Sequence, residues 1–395
     1  TIVDATGQRQ GMRNPKTHQQ AMLAFAALSA VLRASLNRIN QVGPSFFGRT
    51  LAERIPAILE HALLKENDMN RYFLIIVLAV FINPLASWAD ELPSWNDGAA
   101  KKIIIEFVNK TINPSGAEFV PVEDRIAVFD NDGTLWTEQP YYFQLGFMLD
   151  RVKALAPQHP EWNEKEPFKS ILAGDIKGVA KAGEKGIVEL AMTTHAGMTT
   201  DEFTTIVNDW YATARHPKTN QPFNKMTFLP MRELLDYLRA NDFKTYIVSG
   251  GGVEFMRPIT QEAYGIPPEQ VIGSRIKTQY LLDDDRPVLK RLPEIDFVDD
   301  GPGKPVGINA AIGRRPIFIA GNSDGDYEML RWGTADEKLP SLGIIVHHTD
   351  AEREYAYDRQ SAIGKLDKAL NEASDHNWLV VDMKSDWSKI YAFDK

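Results

Sequence analysis

Two carboxylates one residue apart, Asp130 and Asp132, stand directly after four apolar residues, Ile126-Ala127-Val128-Phe129, and before Gly133-Thr134. Carboxylates this close raise each other's pKa unless a cation sits between them. Oxygen donors of this kind suit Mg²⁺, which takes one or two carboxylates together with substrate phosphate. The stretch therefore implies a metal-assisted phosphoryl-transfer site. A calcium-loop reading fails, because position 12 of such a loop falls on Tyr141 and not on a glutamate.

Other residues able to do chemistry recur downstream in a fixed setting. An apolar run ends at Ser249-Gly250-Gly251-Gly252, and another ends at Gly321-Asn322-Ser323-Asp324-Gly325-Asp326. Lys304 lies between Gly303 and Pro305. Each piece alone is also compatible with an ordinary turn or a solvated loop. Their order carries the case: acidic loop, hydroxyl loop, lysine, second acidic loop.

The elements that must position these residues follow an α/β rhythm. Strands are expected at 126–129, 243–248, 271–282, 296–298, 316–320 and 342–346, with a polar turn at 283–286. Helices are expected at 99–109, 231–240 and 305–312. Alternation of this kind predicts an open, mostly parallel, Rossmann-like sheet with helices on both faces. Ligands bind outside the carboxyl ends of such strands, so the polar loops are expected to converge. Residues 140–229 lack clear buried strands and carry helical signals, including the capping-box pattern Thr199-Thr200-Asp201-Glu202 before the run 203–213. They read as an inserted helical cap domain, with the core formed by 90–139 and 230–395.

The chain has 395 residues, 44% hydrophobic and 25% charged, ordinary values for a globular protein. A net charge of −9 gives no electrostatic footprint for nucleic acid. Absence of cysteine excludes disulfides, thiol nucleophiles and thiolate metal sites. Residues 1–68 show helical patches at 19–37 and 51–65 and no visible chemistry. From Met69 the pattern changes. Asn70-Arg71 is followed by an apolar run from Tyr72 to Ile82, then Pro84 and the small residues of Ser87-Trp88-Ala89. This is the anatomy of a secretory signal peptide, and the run is shorter than the ~20 residues of a membrane span. The expectation is a start at Met69, a signal at 69–89, an extension at 1–68 outside the mature protein, and a periplasmic or secreted location with no stable membrane insertion. Without use of that segment the location would be cytoplasmic.

The sequence resembles the haloacid dehalogenase (HAD) superfamily of phosphohydrolases, in its phosphoserine-phosphatase-like branch with a helical cap. Asp130-Asn131-Asp132-Gly133-Thr134 resembles the first motif, Asp-x-Asp-x-Thr. Ser249 resembles the second, Lys304 the third, and 321–326 the fourth, usually Gly-Asp-x-x-x-Asp. The resemblance implies that Asp130 is a nucleophile forming an aspartyl-phosphate and that Asp132 is the acid and then the base. Ser249, Gly250 and Lys304 would bind the phosphoryl group. Mg²⁺ would be held by Asp130, the Asp132 backbone carbonyl and the fourth motif. There Asn322 stands where the family has its first aspartate, and Asp326 matches the second; Asp324 is the alternate ligand. The lost charge predicts weaker Mg²⁺ binding than Asn322→Asp would give.

The implied activity is hydrolysis of a small phosphorylated metabolite. Alternatives are a phosphotransferase or mutase of the same superfamily, or a secreted binding protein with an impaired site, which Asn322 alone favours. Glu138, Tyr141, Tyr142 and Gln144 are positioned by sequence to line an entrance beneath the cap, or simply to pack. His195 and His216 lack metal-type partners in sequence, and His347-His348 follow the strand expected at 342–346 and read as structural at its end. Arg257 is open between a phosphate contact and a structural one.

Overall fold

The structure, a computed structural model, describes residues 90–336 and 338–394. The extension at 1–68 and the signal segment at 69–89 lie outside the described residues. Helix α1 (Ala99–Ile112) leads to strand β1 (Ile126–Phe129), whose four residues are all buried. β1 occupies the middle of a seven-stranded sheet of order β4-β3-β2-β1-β5-β6-β7. Its neighbours are β2 (Lys244–Gly252) and β5 (Phe318–Gly321), both parallel to it. β3 (Val271–Asp283), β6 (Leu342–His347) and β7 (Leu379–Asp382) extend the parallel array, and β4 (Arg286–Phe297) runs antiparallel to β3.

Continuous apolar runs suit strands covered on both faces. Side chains alternate across the pleat, so Ala127 and Phe129 join one hydrophobic cluster while Ile126 and Val128 join the other. The first cluster contains α1 and α7 (Leu229–Ala240) through Ile104, Phe107, Leu234 and Leu238. The second contains α9 (Gly303–Ile312) and α10 (Tyr327–Gly333) through Ile308, Met329 and Leu330. The α/β sheet covered by helices on both faces is thus as the sequence implies.

Between β1 and β2 the chain forms α2 (Phe143–Leu155), α3 (Phe168–Leu172), α4 (Ile176–Lys181), α5 (Gly183–His195) and α6 (Thr200–Thr213). The expected capping box starts α6: Thr199 Oγ1 accepts from the Glu202 amide at 3.1 Å, and Glu202 Oε2 accepts from the Thr199 amide at 2.8 Å. α8 (Val253–Tyr264) follows β2, and α11 (Lys368–Glu372) and α12 (Met383–Asp386) lie near the end of the chain.

Two expectations need correction. The strand expected at 296–298 begins ten residues earlier, at Arg286. Its turn is only Asp284-Asp285, with φ of 47° and 61°. A two-residue hairpin loop takes positive φ at both central positions, and aspartate tolerates it. β7 was not expected, since its four residues offer too short a pattern to read. Among the described residues no helix is long and apolar enough to cross a membrane.

Candidate active site

Strands β2, β1 and β5 are adjacent, so their carboxyl ends deliver three loops to one place. Sheet order reverses beside β1, the position where an open α/β sheet opens a crevice. Asp130 continues β1, its amide donating to Ala320 O of β5 at 2.9 Å. The loop then turns sharply. Asn131 O accepts from the amides of Thr134, Leu135 and Trp136, and Gly133 adopts φ 76°, a conformation that favours glycine.

Lys304, in the first turn of α9, is 2% exposed. Its ammonium spends its donors on Asp130 Oδ1 at 2.6 Å, Asp326 Oδ1 at 2.6 Å and Val248 O at 3.0 Å. Burial alone would lower its pKa, but the two carboxylates more than offset this and hold it charged. Burial and the neighbouring Asp326 push Asp130 upward, against the pull of Lys304. Asp132 is partly buried and its Oδ1 accepts from Trp136 Nε1 at 2.9 Å. Burial moves it up to about 6, with the tryptophan bond working the other way. A carboxyl poised near neutrality suits general acid and base work.

Ser249 is buried at the end of β2, and its Oγ accepts from the Gly251 amide at 3.1 Å. Gly250 is exposed beside it. Asn322 follows β5 and packs on the acidic loop: Thr134 Oγ1 donates to Asn322 Oδ1 at 3.2 Å. Thus Asp130, Asp132, Ser249, Gly250, Lys304, Asn322 and Asp326 gather at one edge of the sheet.

The two remaining metal expectations fit less well. Asp326 gives Oδ1 to Lys304, while Oδ2 accepts from the amides of Asn322 and Ser323, both at 3.0 Å. Its oxygens are taken, which makes it the partner of Lys304 rather than an open donor. Asp324 is not brought into the cluster. Its Oδ1 accepts from the amides of Asp367 and Ala369 at 3.0 Å each, at the start of α11.

Among the described residues no three acidic, histidine or cysteine side chains form a ready metal cage. The donors at hand are the Asp130 carboxylate, the Asn322 amide oxygen and backbone carbonyls. All are oxygen, which matches a small hard cation that keeps waters and substrate oxygens in its shell. The residues present therefore fit Mg²⁺.

The family model of the haloacid dehalogenase-like hydrolases matches residues 127–331, over half of the chain. The chain belongs to the haloacid dehalogenase-like hydrolases. No curated protein matches it at a significant level. Among solved structures it is similar to a functionally unknown protein from Anaerococcus prevotii, at 16% identity over 71% of this chain and 91% of that one, TM-score 0.43. It is also similar to a phosphoserine phosphohydrolase-like protein from Francisella tularensis, at 16% identity over 64% and 98%, TM-score 0.33. A probable phosphoserine phosphatase from Vibrio cholerae gives 14%, 60% and 61%, TM-score 0.31. Likeness at this level carries no argument about activity.

In this haloacid dehalogenase-like chain, several contacts escaped the sequence. Glu138 is buried, accepts from Asn322 Nδ2 at 2.7 Å and from Tyr357 Oη at 2.8 Å, and is pushed well above its usual pKa by burial. His348 bridges the acidic loop: Nε2 meets Gly133 O at 2.8 Å and Nδ1 meets Glu354 Oε2 at 3.2 Å. Asp299 is 0% exposed, and neither carboxyl oxygen makes a hydrogen bond of normal geometry. Only the doublet Asp299-Asp300 after a strand signalled it.

Gln144 and His195 join the helical insert to the glycine loop. Gln144 Oε1 accepts from the Gly252 amide at 2.7 Å, so its amide group faces His195 Nε2 at 2.9 Å. That nitrogen must accept, leaving Nδ1 to donate to Thr194 Oγ1 at 2.7 Å, which donates to Leu190 O at 2.6 Å. Other expected residues are structural. Arg257 Nε donates to Pro268 O at 3.0 Å, His216 Nε2 lies 2.8 Å from Gln139 O, and His347 Nε2 lies 3.4 Å from Asp358. Tyr142 Oη accepts from the Gly364 amide at 3.3 Å, and Tyr141 packs on Gly146.

Proposed function

We propose that this chain is a Mg²⁺-dependent phosphomonoester hydrolase working through an aspartyl-phosphate, with a small phosphorylated metabolite as substrate. The observation that carries the reading is the buried triad in which Lys304 is held between Asp130 and Asp326, beside a second aspartate, Asp132, poised near neutrality. A carboxylate fixed at the end of a central strand suits a nucleophile. Lys304 aims that carboxylate and neutralises charge on the incoming phosphoryl group.

Asp130 attacks phosphorus, and the bond to the leaving oxygen breaks. Asp132 gives its proton to that oxygen, and its carboxylate then takes a proton from the water that opens the acyl phosphate. The Ser249 hydroxyl and the Gly250 backbone hold phosphoryl oxygens. Asp130, the Asp132 carbonyl and Asn322 would hold the ion, whose chemistry is Lewis-acid neutralisation of the phosphoryl oxygens. We assign the insert at 140–229 as a cap that excludes water and selects the leaving group. We assign 69–89 as an export signal giving a periplasmic or secreted protein; N-terminal sequencing of exported material beginning at Thr1 would refute that.

The test is a phosphomonoesterase assay over a panel of substrates, with and without Mg²⁺. Activity is expected to require Mg²⁺ and to fall at least ~10³-fold in Asp130→Asn, on the scale of losing an essential catalytic group. Hydrolysis that survives Asp130→Asn would sink the mechanism. Absence of activity on every phosphoester would favour the binding-protein reading.

A further inference from the structure

The insert returns to the sheet through residues 221–228, and a cleft of about 330 Å³ opens beside that return. Four parts of the chain line it: Asn224 and Lys225 of the return itself, Arg232 of α7, Ile259 and Ala263 of α8, and Phe393 near the end of the chain. It is separate from the candidate active site, since none of Asp130, Asp132, Ser249, Lys304 and Asn322 lines it.

Charge in the cleft is unbalanced. Lys225 is exposed and Arg232 half-buried, and among the described residues neither forms a salt bridge. The one acidic side chain of the lining, Glu262, is exposed and forms none either. Two cations against one anion leave a single net positive charge. Asn224 Oδ1 is buried and accepts no hydrogen bond, which costs the desolvation of that oxygen until a donor meets it. Ile259 and Ala263 are buried and form an apolar wall. The Phe393 ring is 39% exposed and stacked on Tyr391 at 4.9 Å with planes 9° apart, so it is held as a flat surface.

Each feature selects one part of a ligand. A guanidinium beside an ammonium takes a carboxylate, the guanidinium in bidentate fashion. One net positive charge matches a monoanion rather than a phosphate dianion. An apolar wall and a fixed ring take a flat body, with a few polar groups setting its orientation. We propose that this cleft is a second binding site, for a small flat carboxylic acid bearing an amino or hydroxyl donor, and that the acidic loop senses its occupancy. The connection is short. Thr227, also in the lining, bridges Trp136 in antiparallel fashion. The Thr137 amide donates to Met226 O at 3.1 Å, and the Phe228 amide donates to Leu135 O at 2.8 Å. Trp136 Nε1 in turn donates to Asp132 Oδ1 at 2.9 Å. A ligand that ties the return to α7 and α8 therefore stiffens the segment against which the acidic loop rests. No step of the hydrolase reading is needed for this.

The probe is 4-aminobenzoate, titrated into the full chain by isothermal calorimetry, with amide hydrogen exchange as the second readout. Wild type is expected to bind it with a Kd of about 1 mM or tighter. Benzoate, without the donor, should bind several-fold more weakly, and 4-aminobenzamide, without the charge, should not bind measurably. Arg232→Gln is expected to weaken binding about ten-fold or more, the scale of one hydrogen bond to a charged group. Lys225→Gln should weaken it less, because its exposed charge is screened. Phe393→Ala, at the end of the chain, should weaken it as well, and all three variants should melt as wild type does. Bound probe should slow exchange at the Thr137 and Phe228 amides and leave residues 249–252 unchanged. No binding by wild type, or full affinity in both Arg232→Gln and Lys225→Gln, overturns the site. Protection confined to residues 249–252 also overturns it, because the anion would then occupy the phosphoryl site. Binding that leaves Thr137 and Phe228 unchanged overturns the link to the acidic loop. The Asp130→Asn assay is independent of all these outcomes, so the hydrolase reading stands or falls separately.

Discussion

Single buried charges in this molecule differ in how they are answered. Lys304 is surrounded by acceptors, and the desolvation of its charge is offset by two carboxylates. Asp299 has no such answer. It sits against α9, where a Cβ on Gly307 would come 2.4 Å from its Oδ1. Burial drives it up from 3.8 to about 7, with Lys304 only partly countering. The folded state therefore keeps a proton that the unfolded chain releases. Below about pH 4 both states are protonated and nothing is lost. As pH rises from about 4 through 7 the unfolded state is favoured, by roughly 1.4 kcal/mol per unit of separation. Asp299→Asn is therefore expected to gain a few kcal/mol on wild type between pH 4 and pH 7. Urea unfolding at those two values checks it, and an unchanged difference between the proteins would count against it.

At the scale of elements, the glycines that end β2 are held from the insert as well as from β3, where Ser274 Oγ donates to Gly250 O at 2.8 Å. Gln144 of α2 takes the Gly252 amide, and His195 at the end of α5 completes the relay. The relay works only with a neutral ring, since a second ring proton would point at the Gln144 NH₂ group. Burial lowers His195 from 6.5 to about 3, with Arg291 and Arg151 adding to the effect. Its contribution to stability is present above pH 6.5 and is lost as pH falls toward 3, because only the unfolded chain takes the proton. Relative to His195→Asn, wild type should lose about 2 kcal/mol between pH 6.5 and pH 5, read by urea unfolding at each pH. A constant difference would show that the relay does not depend on the ring's charge. The sequence reveals the loops at Asp130, Ser249 and Asn322 because each follows an apolar run, and strand adjacency follows from alternation. It hides what supports them. Glu138 and Tyr357 meet across 219 residues, and the Gln144–His195 contact crosses four helices' worth of insert, so no local pattern marks either. The hairpin strand β4 shows little strand pattern in sequence because its side chains are largely exposed and carry charge and proline in place of an apolar run.

For the molecule as a whole, the decisive question is whether the insert behaves as a separate body. Its aromatic residues pack on one another, Phe147 against Trp210 and Phe143 against Phe223, and also on the core outside the insert. Trp136 of the acidic loop packs on Phe143 at 4.4 Å, and Phe147 of α2 lies 5.4 Å from Phe255 of α8 and 5.8 Å from Phe203 of α6. All belong to the hydrophobic cluster that covers one face of the sheet. Arg291 of the β4 hairpin ties the same region, donating to His195 O at 2.7 Å, pairing with Glu254 of α8 and lying 4.0 Å over the Phe203 ring. A shared core couples the two parts energetically, so the described region should unfold as one cooperative unit. Phe147→Ala removes a fully buried ring at this junction and should cost about 3–5 kcal/mol. The loss should appear as one shifted transition, superimposable by far-ultraviolet circular dichroism and tryptophan fluorescence. Two separated transitions, with the sheet melting at its wild-type midpoint, would show instead that the insert is an independent lid and that its aromatic contacts are dispensable to the core.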